Sequence, residues 1–224
     1  MPEELNHETV ERRLDRLRAD CDPPVTVLDE RVTAERFDRL RSAATDGYTG
    51  GSYAWTVRQP GSAPALSASM PDDAGPDAAH VLLILNRAVD GPTWGLPGGG
   101  REDGETYEAA ARREVREETG IAVELDEPFQ VLRVRTTTSE SDVAAHTLWT
   151  FFDAVYEAGT LDPQASELRG VAWFVEPPGG LGANAARRAA DFWPAHDPPE
   201  KEVVFGPDDD DAVEVDVIES LGGA

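Results

Sequence analysis

Residues 99–121 read GGREDGETYEAAARREVREETGI, and this stretch decides most of what the sequence predicts. If residues 105–118 are helical, Glu114, Glu117 and Glu118 stand at i, i+3 and i+4 on one face, with Cβ atoms roughly 5–6 Å apart. Like charges stacked in this way repel, so an ordinary solvated helix gains nothing from them. Three converging carboxylates are what a hard divalent cation such as Mg²⁺ prefers, and the spacing therefore indicates a metal-binding helix.

Glycines lie on both sides of this helix. Gly98, Gly99 and Gly100 precede it, where they allow the backbone to approach closely and to take φ values that other residues resist. Gly120 falls where a C-cap glycine belongs. The pattern predicts a tight glycine-rich loop that leads into a helix ending just before Gly120.

The same run resembles the Nudix box, the signature of the Nudix hydrolase superfamily. The signature is glycine, five residues, glutamate, seven residues, Arg-Glu, an aliphatic residue, any residue, Glu-Glu, any residue, glycine and an aliphatic residue. Every specified position matches: Gly99, Glu105, Arg113, Glu114, Val115, Glu117, Glu118, Gly120 and Ile121. The match is highly specific, although it covers only about a tenth of the chain.

This resemblance implies an α/β fold, the Nudix fold, in which a mixed β-sheet is sandwiched between α-helices. It also implies hydrolysis of a nucleoside diphosphate linked to another moiety, with Mg²⁺ or Mn²⁺ as the cofactor. The chemistry suits a carboxylate cluster, because a divalent ion neutralises the pyrophosphate, polarises phosphoryl oxygens and lowers the pKa of a bound water.

Carried over position by position, the resemblance assigns roles to the residues of the box. The metal would be held by the carbonyl of Gly98 and the carboxylates of Glu114, Glu117 and Glu118. One of these glutamates would also accept the proton from the attacking water. Arg113 would orient a glutamate through a bidentate bond, and Glu105 would pin the loop to the helix or act from behind the ligands.

Outside the box the candidates are weaker. Glu167 precedes a strand-like run, where relatives often place a further metal ligand or base, and a plain surface role fits it equally well. Glu140 and Asp142 are weaker candidates for the same role. Arg133 and Arg135 alternate along a strand, where they either meet substrate phosphate or pair with nearby acids.

The rest of the chain predicts three segments. Residues 1–45 predict two helices, the second capped by Thr33, as a packing or dimerisation arm. Residues 46–178 are expected to form the Nudix domain that the resemblance implies. Residues 179–224 are expected to hold a helix at 183–193 and an acidic tail that adds an edge strand or stays mobile. Strands are predicted at 53–57, 81–85, 123–125, 129–135, 144–156 and 171–175. The Pro-, Ala- and Ser-rich residues 60–79 predict a long loop, either an insertion or a lid.

Charge indicates where the protein works. The net charge is −24, with 44 acidic residues against 20 basic ones, of which only Lys201 is a lysine. Such an excess strains a compact fold in dilute buffer, whereas in molar salt the Debye length falls to about 3 Å and most of the repulsion disappears. The sequence therefore favours an extreme halophile as the source. An acidic surface that repels nucleic acid or binds a basic partner is the competing interpretation.

The sequence also favours a cytoplasmic protein. A single cysteine, Cys21, excludes an internal disulfide framework. No apolar run approaches the roughly 18 residues of a membrane span, and the N-terminus lacks an apolar signal core. We expect a small-molecule nucleotide as partner, no membrane and no nucleic acid, and a homodimer in preference to a monomer.

The substrate stays open among a nucleotide sugar, ADP-ribose and a (deoxy)nucleoside triphosphate. Residues 136–138 are threonines, in the region where ADP-ribose pyrophosphatases often carry a proline and diadenosine polyphosphate hydrolases a tyrosine. Isopentenyl diphosphate isomerases share the fold but need a catalytic cysteine after the first strands, and the only cysteine, Cys21, lies in the N-terminal segment. A rival hypothesis is a non-catalytic Nudix module that senses ADP-ribose or a related nucleotide. The complete set of glutamates and the lack of a basic helix-turn-helix pattern weigh against it. RNA decapping is a third hypothesis, which the strong acidity disfavours.

Overall fold

A single mixed sheet organises the chain. The computed structural model describes residues 3–59, 78–86, 93–193 and 212–221, in which ten strands join one sheet. The helices are α1 (His7–Cys21), α2 (Ala34–Thr45), α3 (Tyr107–Thr119) and α4 (Ala183–Phe192). The strands are β1 (Glu3–Leu5), β2 (Val25–Val32), β3 (Gly50–Arg58), β4 (His80–Asn86), β5 (Trp94–Gly95), β6 (Gly98–Gly100), β7 (Ile121–Thr138), β8 (Ser141–Gly159), β9 (Leu168–Phe174) and β10 (Ala212–Leu221).

The strand order along the sheet is β10-β2-β7-β8-β3-β4-β5. Three short or late strands attach to this path: β1 to β8, β6 to β3 and β9 to β4. The pairs β1–β8, β2–β7 and β3–β8 are parallel, and the other pairs are antiparallel. Strand β3 thus lies in the interior of the sheet, between β8 on one side and both β4 and β6 on the other.

Helices cover both faces of this sheet. Ala54 and Trp55 are neighbours on β3, so their side chains point to opposite faces. Ala54 packs in the same apolar cluster as Val115 of α3, whereas Trp55 packs with Ala185 of α4. The α/β architecture with helices on either side of a mixed sheet, expected from the resemblance, is therefore confirmed.

Helix α1 lies beside α3 on one face. Its buried residues are Val10, Leu14 and Leu17. They share an apolar cluster with Tyr107 and Ala111 of α3 and with residues of β7 and β8. The first helix therefore packs directly behind the helix that carries the box.

The N-terminal segment also supplies strands that the sequence did not predict. The two expected helices are present, and Thr33 caps α2 by accepting from the Arg36 N–H. In addition, β1 pairs with β8 and β2 pairs with β7. Between β1 and α1, Asn6 adopts a left-handed φ of 52° and its side chain bonds both the N–H and the carbonyl of His146. Residues 3–32 are thus built into the sheet, and the segment limits at 45 and 178 stay predictions.

Charged residues on this side of the sheet pair with one another. Arg133 pairs with Glu11, and Arg135 pairs with Glu4 at 3.1 Å. The buried His146 places Nε2 2.6 Å from the same Glu4. Of the two roles open to the β7 arginines, the structure has them paired with acids of β1 and α1.

Two other differences concern strand continuity and the tail. The predicted strands 123–125 and 129–135 form one strand, β7, because irregular pairing around Pro128 lets the ladder continue past the proline. Strand β10 pairs with β2 at the edge of the sheet. Of the two alternatives predicted for the tail, the structure has the edge strand. Residues 60–77 of the predicted loop and Asp208 to Asp211 lie outside the described residues. No helix in the described part of the chain is long and apolar enough to cross a membrane.

Candidate active site

The glycine-rich loop is held against the central strand β3. Gly98 lies opposite Tyr53 and Gly99 opposite Ser52 in the β6–β3 ladder. Gly98 has a φ of 150°, and a Cβ there would lie 2.2 Å from the carbonyl oxygen of Ser52. A Cβ on Gly99 would lie 2.7 Å from the carboxyl carbon of Glu114. Glycine at these positions lets β6 sit flush on β3 and lets a box glutamate contact the loop.

The helix that carries the glutamates is capped at both ends. It begins at Tyr107, two residues after the predicted start at 105, because the Thr106 hydroxyl accepts from the Ala109 N–H at 3.1 Å and ends the loop there. Gly120 closes it with a left-handed φ of 77° and an N–H bond to the Arg116 carbonyl. The predicted C-cap is confirmed, while Glu105 belongs to the loop rather than to the helix.

Arg113 is the hub of the charged cluster. Its Nε and Nη2 bind the two carboxylate oxygens of Glu105 at 2.9 and 3.0 Å. Nη1 donates to Glu114 at 2.9 Å and to Glu117 at 3.2 Å. Nη2 also donates to the Gly100 carbonyl at 2.8 Å. The bonds to Glu105 raise the pKa of Arg113 and lower the pKa of Glu105, so this pair is charged and joins the loop to the helix.

Glu118 is the buried member of the cluster. It is 7% exposed, and its carboxylate accepts from the Gly98 N–H at 2.8 Å. Burial, opposed by this hydrogen bond and reinforced by the charges of Glu114, Glu167 and Glu117, raises its pKa to about 8. Burial also raises the pKa of Glu114, against the influence of Arg113. Ionising these two carboxyl groups is therefore costly in this partly desolvated place, and a bound cation would lower that cost.

The donor set fits Mg²⁺ or Mn²⁺ in its chemistry. Carboxylate and backbone carbonyl oxygens are the ligands of hard divalent cations. Among the described residues, no three carboxylate, imidazole or thiol side chains are arranged as a ready-made ion site. In this arrangement Glu114 faces Arg113, Glu118 faces the Gly98 N–H, and the side chain of Glu117 is 55% exposed. Glu114 and Glu117 would have to exchange their arginine contact for an ion.

The predicted residues outside the box are placed less decisively. Glu167 is exposed and accepts from the Gln164 amide at 3.1 Å, yet it lies near enough to the cluster for its charge to raise the pKa of Glu118. Glu140 and Asp142 are exposed at the β7–β8 turn, and the interactions described for them include no contact with the box glutamates. The structure thus brings Glu167 toward the cluster and gives the other two no link to it.

Residues that sequence reasoning missed support the loop from behind. Arg101, in an unspecified position of the box, is 5% exposed and bonds the segment before β3. Tyr107, the first residue of α3, is 1% exposed and donates its hydroxyl to the Thr49 carbonyl at 2.9 Å. An arginine among acidic and glycine residues in a loop looks like a surface residue, so nothing local to the sequence signals this burial.

Comparison with known proteins shows which family these residues resemble. Residues 67–177 match the model of the NUDIX domain. A Mycobacterium tuberculosis protein named "Putative 8-oxo-dGTP diphosphatase 3" is 38% identical over 107 residues, which cover 43% of this chain and 46% of that protein. The "Nucleoside triphosphatase NudI" of an Enterobacter species is 34% identical over 86 residues, covering 35% of this chain and 61% of that protein. The chain thus spans less than two thirds of these relatives.

A solved structure is also similar. A NUDIX-family hydrolase from Clostridium perfringens is 16% identical, with a TM-score of 0.42, and the similarity covers 62% of this chain and 92% of that one. The matched segment 67–177 contains the whole of the box, from Gly99 to Ile121. Residues 67–177 of this chain are therefore similar to a Nudix domain.

Proposed function

We propose that the protein is a metal-dependent pyrophosphohydrolase, which cleaves a phosphoanhydride bond in a nucleoside diphosphate linked to another moiety. One observation carries this proposal: the loop and α3 bring the box carboxylates together. Arg113 binds Glu105, Glu114 and Glu117, and Glu118 accepts from the Gly98 N–H beside them. Salt adaptation would explain acidic residues anywhere on the surface, but not carboxylates gathered around an arginine and desolvated against a glycine loop.

The metal would be Mg²⁺ or Mn²⁺, held by the Gly98 carbonyl and by Glu114, Glu117 and Glu118. When bound, it would supply charge neutralisation at the phosphoanhydride and acidify the attacking water. Arg113 and Glu105 fix the loop relative to the helix, so the ligands on both elements keep a common geometry. One of the box glutamates, or Glu167 beside them, would take the proton from water.

The names of the relatives support one substrate class without excluding the others. The names of the curated relatives above refer to 8-oxo-dGTP and to nucleoside triphosphates, which supports a (deoxy)nucleoside triphosphate. ADP-ribose and nucleotide sugars have the same phosphoanhydride unit and stay within the proposal. A non-catalytic nucleotide sensor is the alternative, and the complete set of box glutamates weighs against it.

The test is a turnover assay on a panel of these nucleotides with Mg²⁺ or Mn²⁺. Glu117→Gln removes one charge from an exposed ligand position, and Glu124→Gln removes an exposed glutamate of β7 as a matched control. We expect wild-type turnover to fall at least about 100-fold in Glu117→Gln and to persist in Glu124→Gln. If the protein binds a nucleotide tightly but does not hydrolyse it with either metal, the enzyme hypothesis is wrong and the sensor hypothesis is favoured.

The solution state is part of the proposal. We infer a halophilic protein from the net charge of −24, a cytoplasmic one from the single cysteine, and a homodimer from the N-terminal segment outside the matched residues. The assay therefore needs both molar and dilute KCl, and activity that is highest in dilute buffer would contradict salt adaptation. Light scattering in molar KCl decides the oligomeric state.

A further inference from the structure

Arg101 lies in the glycine-rich loop, residues 98–105, but is not one of the specified residues of the box. The residue as a whole is only 5% exposed. Burying a guanidinium is costly unless its donors are satisfied. Its hydrogen-bond partners therefore indicate what the buried charge does.

Those partners are neutral oxygens on two different segments. Nε donates to the Thr49 hydroxyl at 3.1 Å, and Nη2 donates to the Gly47 carbonyl at 3.1 Å. Nη1 donates to the carbonyls of Glu102 and Glu105. One side chain therefore joins the turn between α2 and β3 to both ends of the loop segment 102–105.

Glu105 is consequently fixed twice. Its carbonyl accepts from Arg101, and its carboxylate accepts the bidentate pair of bonds from Arg113. The Glu102 N–H adds a third bond to the Glu105 carboxylate at 3.0 Å. Without Arg101, the end of the loop that bears Glu105 would keep its bonds to the helix but lose those to the α2–β3 turn.

The same anchor holds the start of α3. The Tyr107 hydroxyl donates to Thr49, the residue that also receives Arg101 Nε. On the other side of Tyr107, the guanidinium of Arg13 in α1 lies 6.0 Å from the ring centroid. Residues outside the matched domain thus contact both the loop and the first turn of the box helix.

We propose that Arg101 is a positioning residue, which locks the loop 98–105 onto the α2–β3 turn so that Glu105, Arg113 and the box glutamates keep one geometry. The inference rests on the proposed function for its kinetic consequence, but not for its structural one. Arg101 touches no reacting group in this arrangement, so it acts through Glu105 and the loop.

The test compares three variants. Arg101→Met keeps an unbranched stem without donors, Arg101→Lys keeps the charge without the planar fork, and Arg112→Met removes an exposed arginine of α3 as the control. The first readout is hydrogen exchange in metal-free buffer, followed at the amides of residues 98–105. The bonded amides of this segment include those of Gly98, Arg101, Glu102 and Glu105.

We expect Arg101→Met to speed exchange in 98–105 at least about 10-fold, with α4 unchanged, and Arg101→Lys to restore only part of the protection. Turnover should fall by roughly 100-fold in kcat, with KM changed less than about threefold, since misplacement of about 1 Å costs that much. Arg112→Met should match the wild type in both readouts.

Two results would overturn the inference. One is wild-type exchange and kcat in Arg101→Met, and the other is exchange that rises equally in the loop and in α4, which would make Arg101 a general stability residue. If the wild type turns over no nucleotide, the proposed function fails, while the exchange pattern still decides whether Arg101 holds the loop.

Discussion

Replacing Gly99 by alanine separates activity from stability. A Cβ at residue 99 would meet the Glu114 carboxyl carbon at 2.7 Å and its two oxygens at 2.8 Å. These atoms are the far end of a flexible side chain, which must retreat by roughly 0.7 Å to reach ordinary contact at 3.4 Å. An off-rotamer adjustment of this kind costs about 0.5–1.5 kcal/mol. For a chain of this size, that corresponds to a loss of roughly 1–6 °C in Tm.

Activity should fall much further than stability. A displacement of nearly 1 Å in Glu114, a proposed metal ligand, is expected to lower kcat by up to about 100-fold. The assay measures kcat and KM on the best substrate of the panel, with Tm from calorimetry on the same samples. Gly98→Ala is the comparison, because its Cβ would meet the Ser52 backbone at 2.2 Å in a left-handed region of φ, and this variant should lose far more stability.

The reasoning is refuted if Gly99→Ala keeps wild-type kcat, because the position of Glu114 would then not matter. It is equally refuted if Gly99→Ala loses as much Tm as Gly98→Ala, since the contact would then involve the backbone rather than the Glu114 side chain.

Other substitutions test the surrounding contacts. Arg113→Lys cannot keep the bidentate bond to Glu105, so kcat should drop at least about 10-fold, and a steady-state assay that finds full activity would contradict the role of this pair. Arg16→Met removes partly exposed ion pairs to Glu108 and to Asp20. Tm should therefore fall by no more than about 4 °C, and by less in molar KCl, as scanning fluorimetry at two salt concentrations would show. Burial lowers the pKa of His146, although Glu4 opposes this shift. The unfolded chain therefore binds more protons at this residue than the folded chain does. The free energy of unfolding should decrease as the pH falls below about 6.5. Urea unfolding at pH 7.5 and 5.5 should show a smaller acid loss in His146→Gln than in the wild type, and equal losses would argue against this pKa shift.

The sequence predicts the site best where local chemistry decides the structure. Gly120 ends α3 and Thr33 begins α2 as expected, because capping depends on neighbours within one turn. The start of α3 was wrong by two residues, since Glu105 and Thr106 compete for the same end and the threonine hydroxyl caps the helix. The carboxylate of Glu105 is instead held by Arg113, as the resemblance implied for some glutamate of the box.

Features that depend on distant partners were not predictable from the pattern. Strand β1 has three residues, too few for an alternation, and exists because it pairs with β8 about 140 residues later. The burial of Arg101 depends on Gly47 and Thr49, which precede it by about fifty residues. The sequence predicted separate strands at 123–125 and 129–135, yet the long β7–β8 ladder accommodates Pro128 and joins them into β7. In each case the partner is set by the sheet topology rather than by adjacent sequence.

The position of β3 has a practical consequence for anyone who shortens this gene. The segment that matches the NUDIX domain begins at residue 67, whereas β3 ends at Arg58 and hydrogen-bonds β4, β6 and β8. A version trimmed to 67–177 would lose β3 from the interior of its sheet, and the glycine-rich strand β6 would lose the strand with which it pairs. Expression clones should therefore start upstream of β1, where the first ordered backbone pairing occurs.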